Sequence, residues 1–344
     1  MGANIQKNND SIDVTKFLLS LCVVAIHSEL LYNYIYPFVR LAVPIFFIFS
    51  GYFSFLKIDA IQNYSAKKEK FISIVKRYLK LYAFWFIVLL PHTLYIRKYF
   101  SSGIIAGFLN MPKNFLLDST FRGSWYLMAT ILGIIIIFLL SNRFSNAKLL
   151  LITIPFYLFS TVFSEFSGEI KTVPFLYLIS NTYTRLLGIP CFTFMIALLY
   201  IVLGKILADS VKRNDIQKKN IYLFIVCFAL LILEYHIRLR SKSFIYSCDC
   251  LIMLAPTAYF FVTNILNLQF KFKYSKIFSK LSTIIYCVHF PILDLVKNDL
   301  TLSGIKDPMN ILKYFITLLL SVSFSLILLK LEKKPCFKFL KYAH

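Results

Sequence analysis

The sequence predicts an all-α polytopic membrane protein of about ten transmembrane helices with no soluble domain, a single unit over residues 1–344. Three observations carry this. The chain is 58% hydrophobic and only 16% charged, too little charge for a surface that faces water on all sides. Apolar stretches of roughly 20 residues, enough to cross about 30 Å of hydrocarbon as a helix, recur along its length. Its 38 Lys and Arg against 16 Asp and Glu leave a net charge of +22, gathered mainly in alternate connections, as cytoplasmic loops require. This composition excludes a water-soluble enzyme, a disordered chain and a nucleic-acid binder.

The expected spans lie near 13–34, 38–56, 78–96, 124–141, 148–164, 185–207, 221–237, 244–266, 281–297 and 310–331. With both termini inside, about two thirds of the 38 cations fall on inner segments, so both termini are expected in the cytoplasm and the cations against anionic lipid. The longest connections, 57–77, 97–123 and 267–280, are too short to build a core of their own. The seven cysteines are odd in number and sit mostly in apolar runs, which argues against a disulfide framework. Cys248-Asp249-Cys250 has no second pair to complete a metal site, and no metal is expected.

Ionisable side chains inside a span cost several kcal/mol unless they face a polar cavity, so they mark candidate sites. In the first span Lys16 and His27 are eleven residues apart, which at about 100° per residue puts them roughly 20° apart on one face. Asp13 and Ser20 share that side, giving a polar stripe that rises about 16 Å into the membrane. Lys16 alone would read as a cation reaching back to the interface. A histidine so deep on the same face is better explained by a polar cavity, where imidazole can accept and return a proton near neutral pH.

The second span closes on Ser50-Gly51-Tyr52, and the third is entered through a basic run ending Lys76-Arg77-Tyr78-Leu79-Lys80. A run of this kind is ordinarily a solvated inner loop. Arg77 and Lys80, three apart on an entering helix, also form a grip for phosphate or pyrophosphate. Arg122 and Trp125-Tyr126-Leu127 open the fourth span and Arg185 the sixth; these read as belt anchors or as acceptor contacts. In the ninth, Ser282, Tyr286 and His289 are spaced four and three apart on one stripe, with Pro291 to bend the helix beyond. His92 and His236 read as interfacial and His344 as a tail residue.

Taken in this order, these marks resemble the integral-membrane acyltransferase family 3, which includes O-acetyltransferases of surface polysaccharides. The matching features are Lys16 to His27 in helix one, Val43-Pro-Ile-Phe-Phe-Ile-Phe-Ser50-Gly51-Tyr52 closing helix two, Lys76-Arg77-Tyr-Leu-Lys80 entering helix three, Trp125-Tyr126-Leu127 at helix four and Tyr286-Cys-Val-His289-Phe-Pro291 late in the chain. Two positions depart from the pattern. The helix-one cation is usually arginine, whose planar two-point hydrogen bond Lys16 cannot reproduce, and the proline after the helix-three basic motif is absent here.

The resemblance implies transfer of an acyl group, most often acetyl, from cytoplasmic acyl-coenzyme A as donor substrate to a hydroxyl of a polysaccharide or its lipid-linked glycan precursor, in the plasma (inner) membrane of a bacterium. No resident cofactor is expected. Arg77 and Lys80, with Lys76 behind them, would hold the coenzyme A phosphates. His27 would serve as general base or brief acyl carrier, Lys16 would orient charge, and Tyr286 with His289 would relay a proton or stabilise an oxyanion. Arg122, Trp125 and Arg185 would meet the acceptor. The rival from a different class is a transporter or flippase for a lipid-linked sugar, in which buried histidines would couple protons; a sensor or assembly subunit without chemistry is the third.

Overall fold

The computed structural model describes residues 10–97, 120–213, 220–240, 250–268, 270–307 and 309–344. Every element among them is helical. The α-helices, in chain order, are α1 (Asp10–Ser28), α2 (Tyr32–Val39), α3 (Ala42–Ile58), α4 (Tyr64–Val88), α5 (Leu90–Arg97), α6 (Trp125–Ser141), α7 (Asn146–Glu165), α8 (Ser167–Ile170), α9 (Pro174–Leu187), α10 (Phe194–Lys212), α11 (Ile221–Arg240), α12 (Leu254–Leu266), α13 (Ser275–Leu302) and α14 (Ile311–Glu332). Short 3₁₀ segments lie at Pro190–Phe192 and Pro335–Ala343. Among the described residues, seven helical stretches are long and apolar enough to cross a membrane, while α6 and α12 are apolar but shorter.

Several boundaries differ from the sequence expectation, each for a local reason. The first span stops at Ser28 because Glu29 and Leu31 adopt positive φ of 58° and 43°, a conformation that ends a helix for residues with a side chain. The expected span 78–96 is broken at Leu89. Its upstream inner loop is not a loop but the first half of α4, capped by Asn63, whose side chain accepts from Ala66 N at 3.1 Å. The span expected from 185 begins only at Phe194, because Gly188 at φ 96° closes α9 and Pro190 starts the 3₁₀ turn. Residues 244–249, at the start of another expected span, and most of the connection 97–123 lie outside the described residues.

Two helix pairings organise the bundle. The first is α3 against α10, where the backbones nearly touch. A methyl on Gly51 would sit 2.5 Å from Ile201 O, and one on Gly204 would collide with Ile48 O and with Tyr52 N. Small residues at a membrane helix crossing permit this approach and the dispersion contacts that come with it. Beside the crossing, Lys205 bridges Asp59 at 3.4 Å and Asp209 at 2.7 Å, and Lys67 reaches Asp59 at 2.7 Å, so the end of α3 and the start of α4 are pinned to α10.

The second pairing is α1 against α13. Asp10 accepts from Phe272 N at 2.8 Å and from Ser275 Oγ at 2.7 Å, satisfying donors at the start of α13. Ser11 Oγ donates to Leu268 O at 2.9 Å, and the Phe17 and Phe278 rings meet at 4.4 Å. The chain then returns to α4: the Pro335–Ala343 turn is held by Trp85 Nε1 donating to Ala343 O at 3.0 Å.

Replacing Gly204 by leucine is expected to force α10 off α3 at a cost of at least about 1–3 kcal/mol, the usual range for overpacking. A lowered melting temperature in detergent checks it, with Ser210→Ala, further along α10 and only half-buried, as the variant expected to melt like the parent. An unchanged melting temperature in Gly204→Leu contradicts the close crossing.

Candidate active site

The two pairings leave a cavity of about 980 Å³ between α1, α3, α4, α6, α13 and the C-terminal turn. Its mouth is basic. Lys16, Lys57, Lys76, Arg77, Lys80 and Lys341 line it against two carboxylates, Asp13 and Glu69. Since α4 is one continuous helix through this stretch, Lys76, Arg77 and Lys80 stand within about one turn of each other. Lys80 also lies 5.5 Å over the Tyr342 ring and Lys341 5.1 Å over it, so the C-terminal turn brings one more cation and an aromatic ring to the rim. His344, expected to be a mere tail residue, lines the cavity too and pairs with Glu332 at 3.0 Å.

Deeper in, the wall becomes neutral and polar. Ser50 Oγ and Tyr126 Oη are hydrogen-bonded at 3.0 Å, and the Tyr126 and Tyr286 rings meet edge to face at 5.3 Å. Ser282 and Thr283 of α13 complete that side. Lys16 projects from α1 with Asp13 at 3.4 Å and the Phe53 ring at 4.4 Å beneath its ammonium. The polar stripe read from α1 is therefore split: Asp13 and Lys16 line the cavity, whereas Ser20 is buried and donates to its own helix at Phe17 O, 2.6 Å.

His27 and His289 sit beyond the tyrosines rather than on the cavity wall. Their rings stack at 5.2 Å with 24° between planes, and Tyr286 lies 6.0 Å from His289. His289 is 0% exposed. Its Nδ1 faces two backbone carbonyls, Tyr286 O at 2.7 Å and Ile285 O at 3.2 Å, and only an N–H satisfies them. That assignment makes Nε2 the free lone pair of the neutral ring. Nε2 is buried and has no hydrogen-bond partner among the described residues. A buried unpaired acceptor costs about 1–3 kcal/mol, which marks the pair as a place where a proton donor belongs.

On the far side of the histidines the Phe290 ring contacts both, at 4.3 Å from His27 and 4.4 Å from His289. Arg122 covers Phe290 with its guanidinium 4.8 Å above the ring and bonds Asp294 Oδ1 at 2.6 Å, while His92 Nε2 meets Asp294 Oδ2 at 3.1 Å. Sequence reasoning does not single out Asp294, Phe290, Lys57 or Lys341. Asp294 lies one turn beyond Phe290 on α13 but five residues past His289, about 140° off its face, so helical spacing from the histidine gives no signal for it.

Two expected acceptor residues are placed elsewhere. Trp125 does not line the large cavity; it packs on Phe192 at 5.3 Å and borders a 20 Å³ space with Arg40, Phe47 and Tyr200. Its neighbour Tyr126 takes the cavity position, because consecutive helical residues point about 100° apart. Arg185 is exposed on α9 and borders neither space. Among the described residues no three His, Cys, Asp or Glu side chains converge as metal ligands. Cys248 and Asp249 lie outside the described residues.

A family model described as an acyltransferase domain matches residues 9–330. An amino-acid racemase of Enterococcus faecalis is 26% identical over 76% of this chain and 36% of its own length. A serine/alanine racemase of Enterococcus gallinarum is 23% identical over 94% of this chain and 46% of its own length. The chain thus spans less than half the length of these curated relatives. No solved structure matches it.

The six-cation rim is expected to bind oligophosphate. Inorganic triphosphate should protect a Thr283→Cys thiol on the cavity wall from a membrane-impermeant thiol reagent, and Arg77→Gln with Lys80→Gln should raise the protecting concentration at least about tenfold, given about 1.5–3 kcal/mol per charged hydrogen bond. Equal protection in the double variant would remove these two residues from the rim's function.

Proposed function

The chain belongs to acyltransferase family 3, and we propose that it moves an acyl group, acetyl by preference, from acyl-coenzyme A to a hydroxyl of a cell-surface polysaccharide or its lipid-linked precursor. The supporting observation is a basic-rimmed cavity of about 980 Å³ whose tyrosine wall ends against two stacked histidines, His289 buried and His27 half-buried. The rim faces the cytoplasm of a bacterium, both termini lie on that side, and the protein sits in the plasma membrane. This orientation follows from the positive-inside pattern.

In this reading Lys76, Arg77 and Lys80, joined by Lys57 and Lys341, hold the donor's phosphates, and the pantetheine arm runs inward along Lys16 and Tyr126 to place the thioester near Tyr286. The acceptor hydroxyl loses its proton to His27 as its oxygen attacks the thioester carbonyl. The C–O bond forms, the C–S bond breaks, and the proton passes to the departing thiolate. If His27 instead carries the acyl group, its ring nitrogen makes the first attack and the hydroxyl the second, with the same net balance. His289, with Nδ1–H held by backbone carbonyls, offers its Nε2 lone pair to take and return a proton beside His27. Tyr286, whose hydroxyl is held by Gly123 O, walls the thioester, and Lys16 supplies positive charge along the path. Acyl-coenzyme A, the glycan acceptor and membrane lipid are the partners of this scheme, which calls for no resident cofactor.

A second acceptor class has its own support. Both relatives above bear names of racemases acting on amino acids and align with most of this chain, so an amino acid such as serine is the alternative bearer of the hydroxyl.

Vesicles holding the purified protein, given acetyl-labelled acetyl-coenzyme A and either surface glycan or L-serine, test the reading. Free coenzyme A thiol and label in an ester are expected with one of the two acceptors. His27→Ala should lower that transfer by about 10²–10⁴-fold, the usual weight of an acid–base group, while the protein stays inserted and abundant. Undiminished transfer in His27→Ala sinks the mechanism. Absence of thiol release with either acceptor, with protein intact, favours a carrier for a lipid-linked sugar.

A further inference from the structure

The histidine pair is flanked on two sides, by Tyr286 of the cavity wall and by Phe290 beneath Arg122. Along α13 the side chains form a ladder: Ser282 and Tyr286 on the cavity, His289 buried, then Phe290, then Asp294. Phe290 is 6% exposed and fills the space between His27 and the Arg122 guanidinium. The turn that carries Arg122 is set by α13 itself. Tyr286 Oη donates to Gly123 O at 2.6 Å, and Gly123 stands at φ 83° with Phe290 so close that a Cβ would lie 2.9 Å from its ring. Any side chain at 123 would therefore meet both backbone strain and the ring.

The polar cluster outside Phe290 has an asymmetric capacity. Asp294 spends one oxygen on Arg122 and the other on His92. Arg122 is 43% exposed at the side chain and uses one guanidinium nitrogen on Asp294, which leaves further N–H donors of a five-donor group without a partner among the described residues. A carboxylate held from two directions fixes the guanidinium over the ring, and the remaining donors of this half-exposed group suit a carboxylate or phosphate.

We propose that Arg122, held by Asp294 and His92, frames a second approach to His27, with Phe290 as its inner wall, and that this approach seats a hydroxyl acceptor bearing an acidic group. The assignment rests on the acyl-transfer reading above. Donor and acceptor then reach the histidines from opposite ends, and displacement of one aromatic ring brings the hydroxyl to His27. Asp294 and His92 are positioning residues in this arrangement and touch no reacting atom.

The test uses thiol labelling, which needs no acyl transfer. His27→Cys is placed in the full chain, in membrane vesicles of each orientation, and labelled from the Arg122 side by impermeant methanethiosulfonates. With Phe290→Ala added, the labelling rate is expected to rise at least several-fold; an unchanged rate overturns Phe290 as the inner wall. Thr283→Cys, labelled from the basic mouth at the same rate with and without Phe290→Ala, shows that α1 and α13 keep their packing. If that control slows, Phe290→Leu replaces Phe290→Ala and is judged by the same criterion. In the open background a sulfonate reagent and a trimethylammonium reagent are compared. Arg122→Gln is expected to lower the anion-to-cation rate ratio several-fold, and an unchanged ratio overturns the acidic-group assignment. A protein that labels as expected yet transfers no acyl group would retain the second approach and refute the chemistry.

Discussion

The stacking of His27 on His289 is the contact to which the rest of the site refers, and it exists only because α1 and α13 are clamped along their length. The clamp has levels of different chemistry. Asp10 is bonded by the first side chain of α13, Ser275, and by Phe272 N ahead of it, and Ser11 bonds the chain just before. Phe17 meets Phe278 in the middle, and the histidines meet Phe290 at the far end. Polar bonds inside or beside a bilayer set register in a way that lipid-like packing alone does not. A slip of one residue on α1 would turn His27 by about 100° and away from His289.

Around that contact the protein grades its polarity. The rim carries six cations, the middle holds hydroxyl groups of Ser50, Tyr126 and Tyr286, and the deepest level is two imidazoles, with His289 Nε2 buried and without a partner among the described residues. In the proposed scheme a charged donor is attracted where charge is solvated and cheap, while the reacting centre is kept neutral and low in dielectric, where each hydrogen bond counts for more. The tight α3–α10 crossing serves this arrangement indirectly, because the same α3 that cannot move from α10 carries Ser50 and Phe53 on its other face.

Much of this is legible in the sequence, for a stated reason. Helical periodicity is fixed, so the placement of Asp13 and Lys16 on one face, and of Ser282, Tyr286 and His289 on another, survives folding. The basic entrance to α4 is legible in the same way. What periodicity does not reach is which helix faces which. Trp125 and Tyr126 are neighbours in the chain but point differently, and only packing against Phe47 and Phe192 decides that Tyr126 takes the cavity. Asp294 becomes visible only through Arg122, 172 residues away, and Lys341 only because Trp85 holds the chain end against α4. Helix ends depart from the apolar runs where single residues with positive φ, Glu29 and Leu31, interrupt them. Hydropathy is blind to such turns.

Lysine at position 16, where the family pattern has arginine, fits the local geometry. Its ammonium meets a single Asp13 oxygen and lies over the Phe53 ring, a point charge with one ionic partner and one aromatic partner. A guanidinium would demand a planar, two-point acceptor, whereas the ammonium is met by the single Asp13 oxygen three residues back on the same helix. The positive charge at this depth is thus retained while the fork is given up. Charge alone is what a path for an anionic donor requires, whereas a fork would matter if the residue gripped a carboxylate or phosphate directly. In the proposed scheme that grip belongs to the arginines at the two ends, Arg77 at the rim and Arg122 beyond Phe290. In the same scheme Lys16, the rim cation that stands on α1, adds a diffuse positive field on the way to the histidines.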